Sequence, residues 1–259
     1  MIVSANEASD FLKSITGLSD CDPFACRIIS LYNSYNPELA VVDYWMTADD
    51  VSGKCTGAIA RNGSNFILFL TDNSDLDEIS SFMRVAGASG AICNGKYSLK
   101  VFGGKCVTGS VLVRKEPFEN LNDNLKIATP EIKDAYNLIV KCADENFTPP
   151  PFENFYVDIN HKLRHNTMRM YGIFENESPV AVAMTVAESD NGAVLGAVAS
   201  SPEYRSHGYG SSIVKYITNR LVAENKAVYL HRAKNANVSF YNNLGFKETG
   251  IWKEYFFER

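Results

Sequence analysis

Residues 198–217 read Val198-Ala-Ser-Ser-Pro-Glu-Tyr-Arg-Ser-His-Gly-Tyr-Gly-Ser-Ser-Ile-Val-Lys-Tyr-Ile217. An apolar run, Gly192 to Ala199, leads into this segment. Arg205-x-x-Gly208-x-Gly210 follows, and then Ile213, Val214, Ile217 and Leu221 recur at helical spacing. The pattern predicts a strand, a glycine-bearing loop and a helix. Glycines let a backbone turn tightly and approach a ligand closely. The first N–H groups of the helix lack intrahelical partners, and the helix dipole adds partial positive charge there. Such a junction is an anion cradle of a size suited to pyrophosphate.

Two familiar cradles do not fit. A P-loop needs Lys-Ser/Thr after its last glycine, and here Ser211-Ser212 follows Gly210. The dinucleotide fingerprint needs three glycines and an acid at the end of the next strand. This loop has two glycines, preceded by Pro202 and Arg205. The combination Pro-x-x-Arg-x-x-Gly-x-Gly resembles the acetyl-CoA loop of the GNAT superfamily of N-acetyltransferases. Downstream, Asn235-Ala-Asn-Val-Ser-Phe-Tyr241-Asn-Asn-Leu-Gly245-Phe246 resembles the family's final helix, which ends in Tyr-x-x-x-Gly-Phe. One strand, Ala227 to His231, separates the two motifs, in the family's order.

The resemblance implies an acyl-CoA donor, acetyl-CoA by default, and a small-molecule or peptide amine as acceptor. It places the pyrophosphate on the backbone of Arg205, Ser206, His207, Gly208, Tyr209 and Gly210, with a hydroxyl from Ser211. Ser206 departs from the glycine often found there. Val198, Ala199 and Ser200 end the preceding strand, whose backbone in the family pairs with the pantetheine arm. A backbone N–H there can also stabilise an oxyanion. Asn237 and Lys234, near the start of the final helix, are expected beside CoA; their bland alternatives are an N-cap and a solvated charge. Tyr241 matches the family's frequent general acid for the departing thiolate, against the alternative of a core aromatic. The general base is less legible. Several family members carry a carboxylate on the strand before the loop, and Gly192–Ser200 has none. Glu188, at the end of the previous strand, is the nearest carboxylate and the expected base, although a hairpin surface charge explains it equally well. His231, Glu145 and Glu153 are not preferred over one another. A non-catalytic acyl-CoA sensor, retaining the cradle without a working base, is the competing reading.

At 259 residues the chain allows one large or two smaller domains. A net charge of −5 argues against a nucleic-acid partner, which usually calls for a basic face. The N-terminus, MIVSANEASDFLKS, lacks the basic and apolar regions of a signal peptide. No apolar stretch is long enough to span a bilayer. Six cysteines without Cys-x-x-Cys or a companion histidine cluster are read as reduced, mostly buried thiols of a cytoplasmic protein, with no metal site.

The predicted class is α+β, an α/β mixed sheet. In the C-terminal half a helix starts at Thr129-Pro130-Glu131, with threonine as N-cap and proline first, and runs to about Asp144. Phe147-Thr-Pro-Pro-Pro151 breaks it, and Phe152 to Arg164 forms a second helix. Strands follow at 168–174, 180–186 and 193–200, the last two joined at Asn191-Gly192. With Leu125 to Ala128 as the opening strand, the order is that of the GNAT fold over residues 124–259. Residues 115–123 read as a linker. In residues 1–114, strands at 41–45, 57–61 and 66–70 precede a helix begun by Asp75-x-x-Glu78, and 91–93 forms a strand after it. This order echoes the C-terminal half without its cradle. It admits two readings: a degenerate GNAT-like half, as in tandem families such as the glycine N-acyltransferases, or an unrelated α+β domain. Specificity for the acceptor is expected from residues 146–167 and the last strands, where Phe147, Phe152, Phe155, Tyr156 and Trp252 read as a partly aromatic pocket or as core.

Overall fold

The computed structural model of the chain describes residues 1–5, 10–19, 21–100, 104–119, 121–122, 124–144 and 147–258. Two compact units emerge. Unit 1 comprises Met1–Val111 and Thr249–Arg259, and unit 2 comprises Leu112–Glu248. The expected boundary, with all of 124–259 in one domain, is therefore corrected. The final strand pairs with residues 90–94 of unit 1 and is counted there.

Unit 1 runs β1 (Ile2–Ser4), α1 (Phe11–Leu18), α2 (Pro23–Ser34), β2 (Val42–Ala48), β3 (Cys55–Asn62), β4 (Asn65–Leu70), α3 (Leu76–Val85), β5 (Gly90–Asn94) and β6 (Lys105–Arg114). The last residues of β6 belong to unit 2. Unit 2 continues with β7 (Ile127–Ala128), α4 (Ile132–Lys141), α5 (Phe152–Arg164), β8 (Met170–Glu175), β9 (Ser178–Glu188), β10 (Gly192–Ser200), α6 (Tyr209–Ala223), β11 (Ala227–Ala233), α7 (Val238–Asn243) and β12 (Lys247–Phe256). The strand order is β1-β2-β3-β4-β5-β12 in unit 1 and β6-β11-β10-β9-β8-β7 in unit 2. From β1 to β5 and from β7 to β11 the succession is identical: strand, two helices, three strands, helix, strand. The N-terminal unit is thus a structural repeat of the C-terminal one.

Local chemistry accounts for the elements. Between β3 and β4, Asn62 pairs with Asn65 across a two-residue turn in which Gly63 holds φ +62°. Between β8 and β9 both turn residues, Asn176 and Glu177, are left-handed, as a tight hairpin requires. The helix α4 starts two residues later than expected. Pro130 is outside the helix and buried beside Gly172, and the Glu131 carbonyl receives the N–H groups of Asp134 and Ala135. Unit 2 has a core on each face of its sheet. Ile213, Val214, Ile217 and Leu221 of α6 are fully buried against Val180, Ala193, Leu195 and Val228. Burying each such side chain contributes about 1.5–3 kcal/mol. On the other face, Ala135, Leu138 and Ile139 of α4 and Phe155 and Ile159 of α5 cover Met170, Val182 and Met184.

The expectation of mostly buried thiols is also corrected. Only Cys26 and Cys93 are buried, while Cys21 and Cys106 are exposed; all six are free.

The strand β10 departs from a regular ladder at the end that matters for the site. β10 pairs with β11 in parallel from Gly192↔Ala227 to Leu195↔Leu230, and the ladder stops there although both strands continue. On its other side β10 carries one more residue than β9 between the pairs Gly196↔Met184 and Ala199↔Val182. This bulge is centred on Ala197, at φ 46°. A Cβ at Gly196 would collide with Cγ1 of Val186, so a bare backbone is required at the kink.

The opposite end of β9 and β10 is held by charge. The Glu188 side chain is 3% exposed. It accepts bonds from Arg169 Nε at 2.8 Å and Nη2 at 2.6 Å, from Lys226 Nζ at 3.0 Å and from Thr185 Oγ1 at 2.8 Å. Arg169 also reaches Glu224 at 2.6 and 2.9 Å, and these bonds hold its guanidinium firmly charged. Removing one partner of such a network strands a buried charge, at a cost of about 3–5 kcal/mol. Arg169→Met is therefore expected to lower the unfolding free energy obtained from urea titration by an amount approaching that range. Adding Glu188→Leu is expected to recover part of the loss, because the under-compensated carboxylate is gone while Lys226 keeps Glu224 at 3.5 Å. Equilibrium unfolding of both variants checks this.

Candidate active site

The C-terminal end of β10, the loop after it, the start of α6 and helix α7 enclose a cavity of about 770 Å³. That lies within the range usual for small-molecule sites. Val198, Ala199 and Ser200 form one wall, where β10 has left β11 and its backbone is no longer shared with that strand. Arg205, Ser206, Gly208, Tyr209, Gly210 and Ser211 form a second wall. Asn237, Phe240, Tyr241, Asn243 and Leu244 come from α7 and its flanks. Cys142 and Asp144 reach the cavity from the end of α4, and Lys215 from the second turn of α6.

The loop geometry explains its sequence. Gly208 is the N-cap of α6 at φ +81°, a conformation that glycine adopts without strain. Ser206 is also left-handed, at φ +65°, which is the physical reason a glycine suits that position. At Gly210 a Cβ would stand 2.9 Å from Ser200 Oγ, so the bare position lets the helix start lie against the strand end with that hydroxyl in place. No side chain caps α6 and no acid occupies its first turn. The N–H groups that begin the helix are therefore left for an outside acceptor. Ser211 Oγ donates to the Gly208 carbonyl at 2.8 Å. Tyr209 is tied to Glu175 through its hydroxyl at 2.6 Å. Arg205 is exposed and forms no ion pair among the described residues.

The corresponding junction of unit 1 has the opposite character. β4 likewise loses β5 after Ile67↔Ile92. However, the Asp75 carboxylate accepts the N–H groups of Asp77 and Glu78 at 3.0 and 2.9 Å, filling the start of α3. Asp77 and Glu78 add two acids to its first turn. Asp72 lies in the same loop, paired with Lys96 at 2.5 Å. An anion has no place there.

The residues expected around CoA line the cavity except His207 and Lys234; His207 is exposed, stacks on Tyr209 and directs Nδ1 to the Arg205 carbonyl at 2.9 Å. Lys234 is exposed and lies outside the lining. Asn237 is left-handed at the start of α7, and its side chain makes no cap bond. Tyr241 packs edge-on against Phe240 and Phe246, with ring centroids 4.9 and 5.9 Å away. Burial pushes its phenol up to about 12.

Glu188 is the correction among the expected catalytic residues. It faces Ala193, at the far end of β10 from the cavity, and is consumed by the ion network described above. Glu153 is exposed at the start of α5 and does not line the cavity, nor does His231. Glu145 lies outside the described residues. Asp144 was missed. It is the one carboxylate on the cavity wall among the described residues. It follows α4, and the Phe147 N–H donates to its Oδ1 at 3.1 Å. Cys142, whose thiol donates to the Ser200 carbonyl at 3.2 Å, was missed as well. The expected aromatic pocket is not part of this lining. Phe155 and Trp252 are buried, and Phe152, Tyr156 and Phe155 form a ring cluster with Tyr136.

Among the described residues no group of three or more His, Cys, Asp or Glu is arranged to hold a metal ion, and no helix is long and apolar enough to cross a membrane.

Comparison with known proteins accords with this architecture. Similar structures include a GNAT-family acetyltransferase from Colwellia psychrerythraea (TM-score 0.56, 14% identity, 100% of both chains). A tandem GNAT protein from the clavulanic acid biosynthesis pathway also matches (TM-score 0.58, 12% identity, 98% of this chain and 97% of that one). So does a GCN5-related N-acetyltransferase-like protein from Streptococcus suis (TM-score 0.53, 13% identity, 90% and 98%). At these identities the likeness is one of fold, and it extends over both units. No curated protein matches the sequence. The model of the acetyltransferase (GNAT) family matches residues 132–246. Those residues, which carry the cavity and its loop, form a GNAT-family acetyltransferase domain.

Proposed function

We propose that the chain is an N-acetyltransferase moving the acetyl group of acetyl-CoA to a primary amine by direct attack. The observation that carries this reading is the uncapped, acid-free start of α6 on the cavity wall, beside a strand that has left its neighbour. The N–H groups behind Gly208 and Gly210 take the pyrophosphate, aided by Arg205. The edge of Val198–Ser200 that is not shared with β11 takes the pantetheine arm. The acceptor is a small-molecule or peptide amine, and the net charge of −5 suits a cationic one. Six free thiols fit a reducing compartment such as the cytoplasm.

The chemistry needs a proton acceptor for the attacking ammonium and a proton donor for the departing thiolate. Asp144 fills the first role as the carboxylate on the wall. Tyr241 fills the second. Among the described residues nothing hydrogen-bonds its hydroxyl, and its high pKa keeps it protonated up to about pH 12. It therefore imposes no alkaline loss of rate near neutral pH.

Labelled acetyl-CoA incubated with a panel of amines tests the reading. Transfer supports it, whereas tight CoA binding with no transfer to any amine identifies an acyl-CoA sensor instead. Calorimetric titration is expected to give one acetyl-CoA per chain, since the start of α3 is filled by Asp75. Gly208→Val, forced into a left-handed backbone at a cost of about 1–3 kcal/mol, is expected to weaken that binding about tenfold or more with the fold retained. Unchanged affinity would remove the loop from the site.

With an accepted amine in hand, Tyr241→Phe is expected to lower kcat about a hundredfold or more while the Kd of acetyl-CoA stays within a few-fold. The ring and its packing remain, so a near-normal kcat would assign the proton to water. Asp144→Asn is expected to depress kcat/KM for alkylamines about a hundredfold while the Kd of acetyl-CoA stays within a few-fold. A near-normal kcat/KM would exclude this carboxylate.

A further inference from the structure

Unit 2 contains three half-buried lysines, and two of them carry a carboxylate. Lys162 Nζ lies 2.8 Å from Asp158, and Lys226 Nζ lies 3.0 Å from Glu188. The third, Lys215, has no hydrogen bond or ion pair among the described residues. Its ammonium stands 5.8 Å from the centre of the Phe118 ring, and the residue lines the cavity. Taking an ammonium partly out of water without a counter-charge is costly, and proteins ordinarily avoid it by pairing. Here the protein supplies the cation and leaves the facing space open.

Position on the helix decides which anion belongs there. Lys215 is four residues beyond Ser211 and thus on the same face of α6, one turn or roughly 6 Å along the axis. The start of the helix is the place of the pyrophosphate. A ligand with a further anionic group about one turn away would meet Lys215. CoA carries one, a 3′-phosphate on the ribose attached to its pyrophosphate. A compact ammonium on a flexible stem is a point-charge partner suited to a terminal phosphate. We infer that Lys215 binds the ribose 3′-phosphate and makes the cavity select CoA over dephospho-CoA. The inference rests on the acyl-CoA reading of the cavity and adds to it the determinant of nucleotide choice. Arg205, exposed on the loop, serves the pyrophosphate, which both nucleotides share.

Calorimetry on the full chain with CoA and with dephospho-CoA tests this, with no need for an acceptor. The wild-type protein is expected to bind CoA about tenfold or more tightly than dephospho-CoA, the worth of one charge-assisted hydrogen bond. Lys215→Met keeps the stem against Phe118 and removes the charge. It is expected to bring the two affinities within about threefold of each other, below the worth of such a bond, while leaving that for dephospho-CoA unchanged. Lys215→Arg is expected to retain the preference for CoA. Equal wild-type affinities, a preference that survives Lys215→Met, or an equal loss for both nucleotides each overturn the inference and leave the acyl-CoA reading standing. Failure of the wild-type protein to bind either nucleotide overturns that reading itself.

Discussion

The separation of β10 from β11 after Leu195↔Leu230 is the constraint on which the rest of the site depends. Two strands in register would leave no room for a ligand and would use every backbone group on each other. The bulge at Ala197, beside the bare Gly196, turns β10 aside while its other edge stays paired to β9. The same turn brings the strand end against the start of α6, where Gly210 allows Ser200 to come close. One local irregularity thus makes the opening and sets the loop at its mouth. The ion network of Glu188, Arg169, Lys226 and Glu224 ties down the opposite end of the strand pair.

The two units show how little separates a cradle from a plain loop. Both have a strand that leaves its parallel neighbour and a helix that begins just afterwards. In unit 2 the helix begins at a glycine with no acid in its first turn. In unit 1 it begins at Asp75, and the following acids complete the neutralisation of the helix start. Shape has been kept while the electrostatics have been inverted. The difference rests on a few side chains, whereas the shared succession of elements rests on the whole hydrophobic pattern.

That contrast also explains what could be read from the sequence. The loop and α7 were legible because glycine and an aromatic at fixed spacing carry local information. The strands from β8 to β11 and helix α5 were legible from periodicity and turn residues. The helices α1 and α2 went unread, although Asp22-Pro23 is a cap followed by proline, and Asp22 does accept the N–H groups of Phe24 and Ala25. Glu188 misled because sequence nearness to the loop says nothing about which end of a strand faces it. Asp144 was invisible for the complementary reason: it meets the cavity through the packing of α4 across the sheet, a non-local fact. The placement of β12 was equally beyond local reading, since its composition fits either sheet.

That placement bears on how the chain comes into being. Synthesis proceeds from the N-terminus, and domains generally fold as they emerge. Unit 1, however, counts Thr249–Arg259 among its own residues, and these are made after all of unit 2. Until then β5 waits with an open edge, a hazard for mispairing that proteins ordinarily cover. The N-terminal half of the polypeptide is thus the first to be translated and the last to be finished. Cutting the gene between the halves would yield one fragment without its closing strand and another carrying a strand that belongs elsewhere.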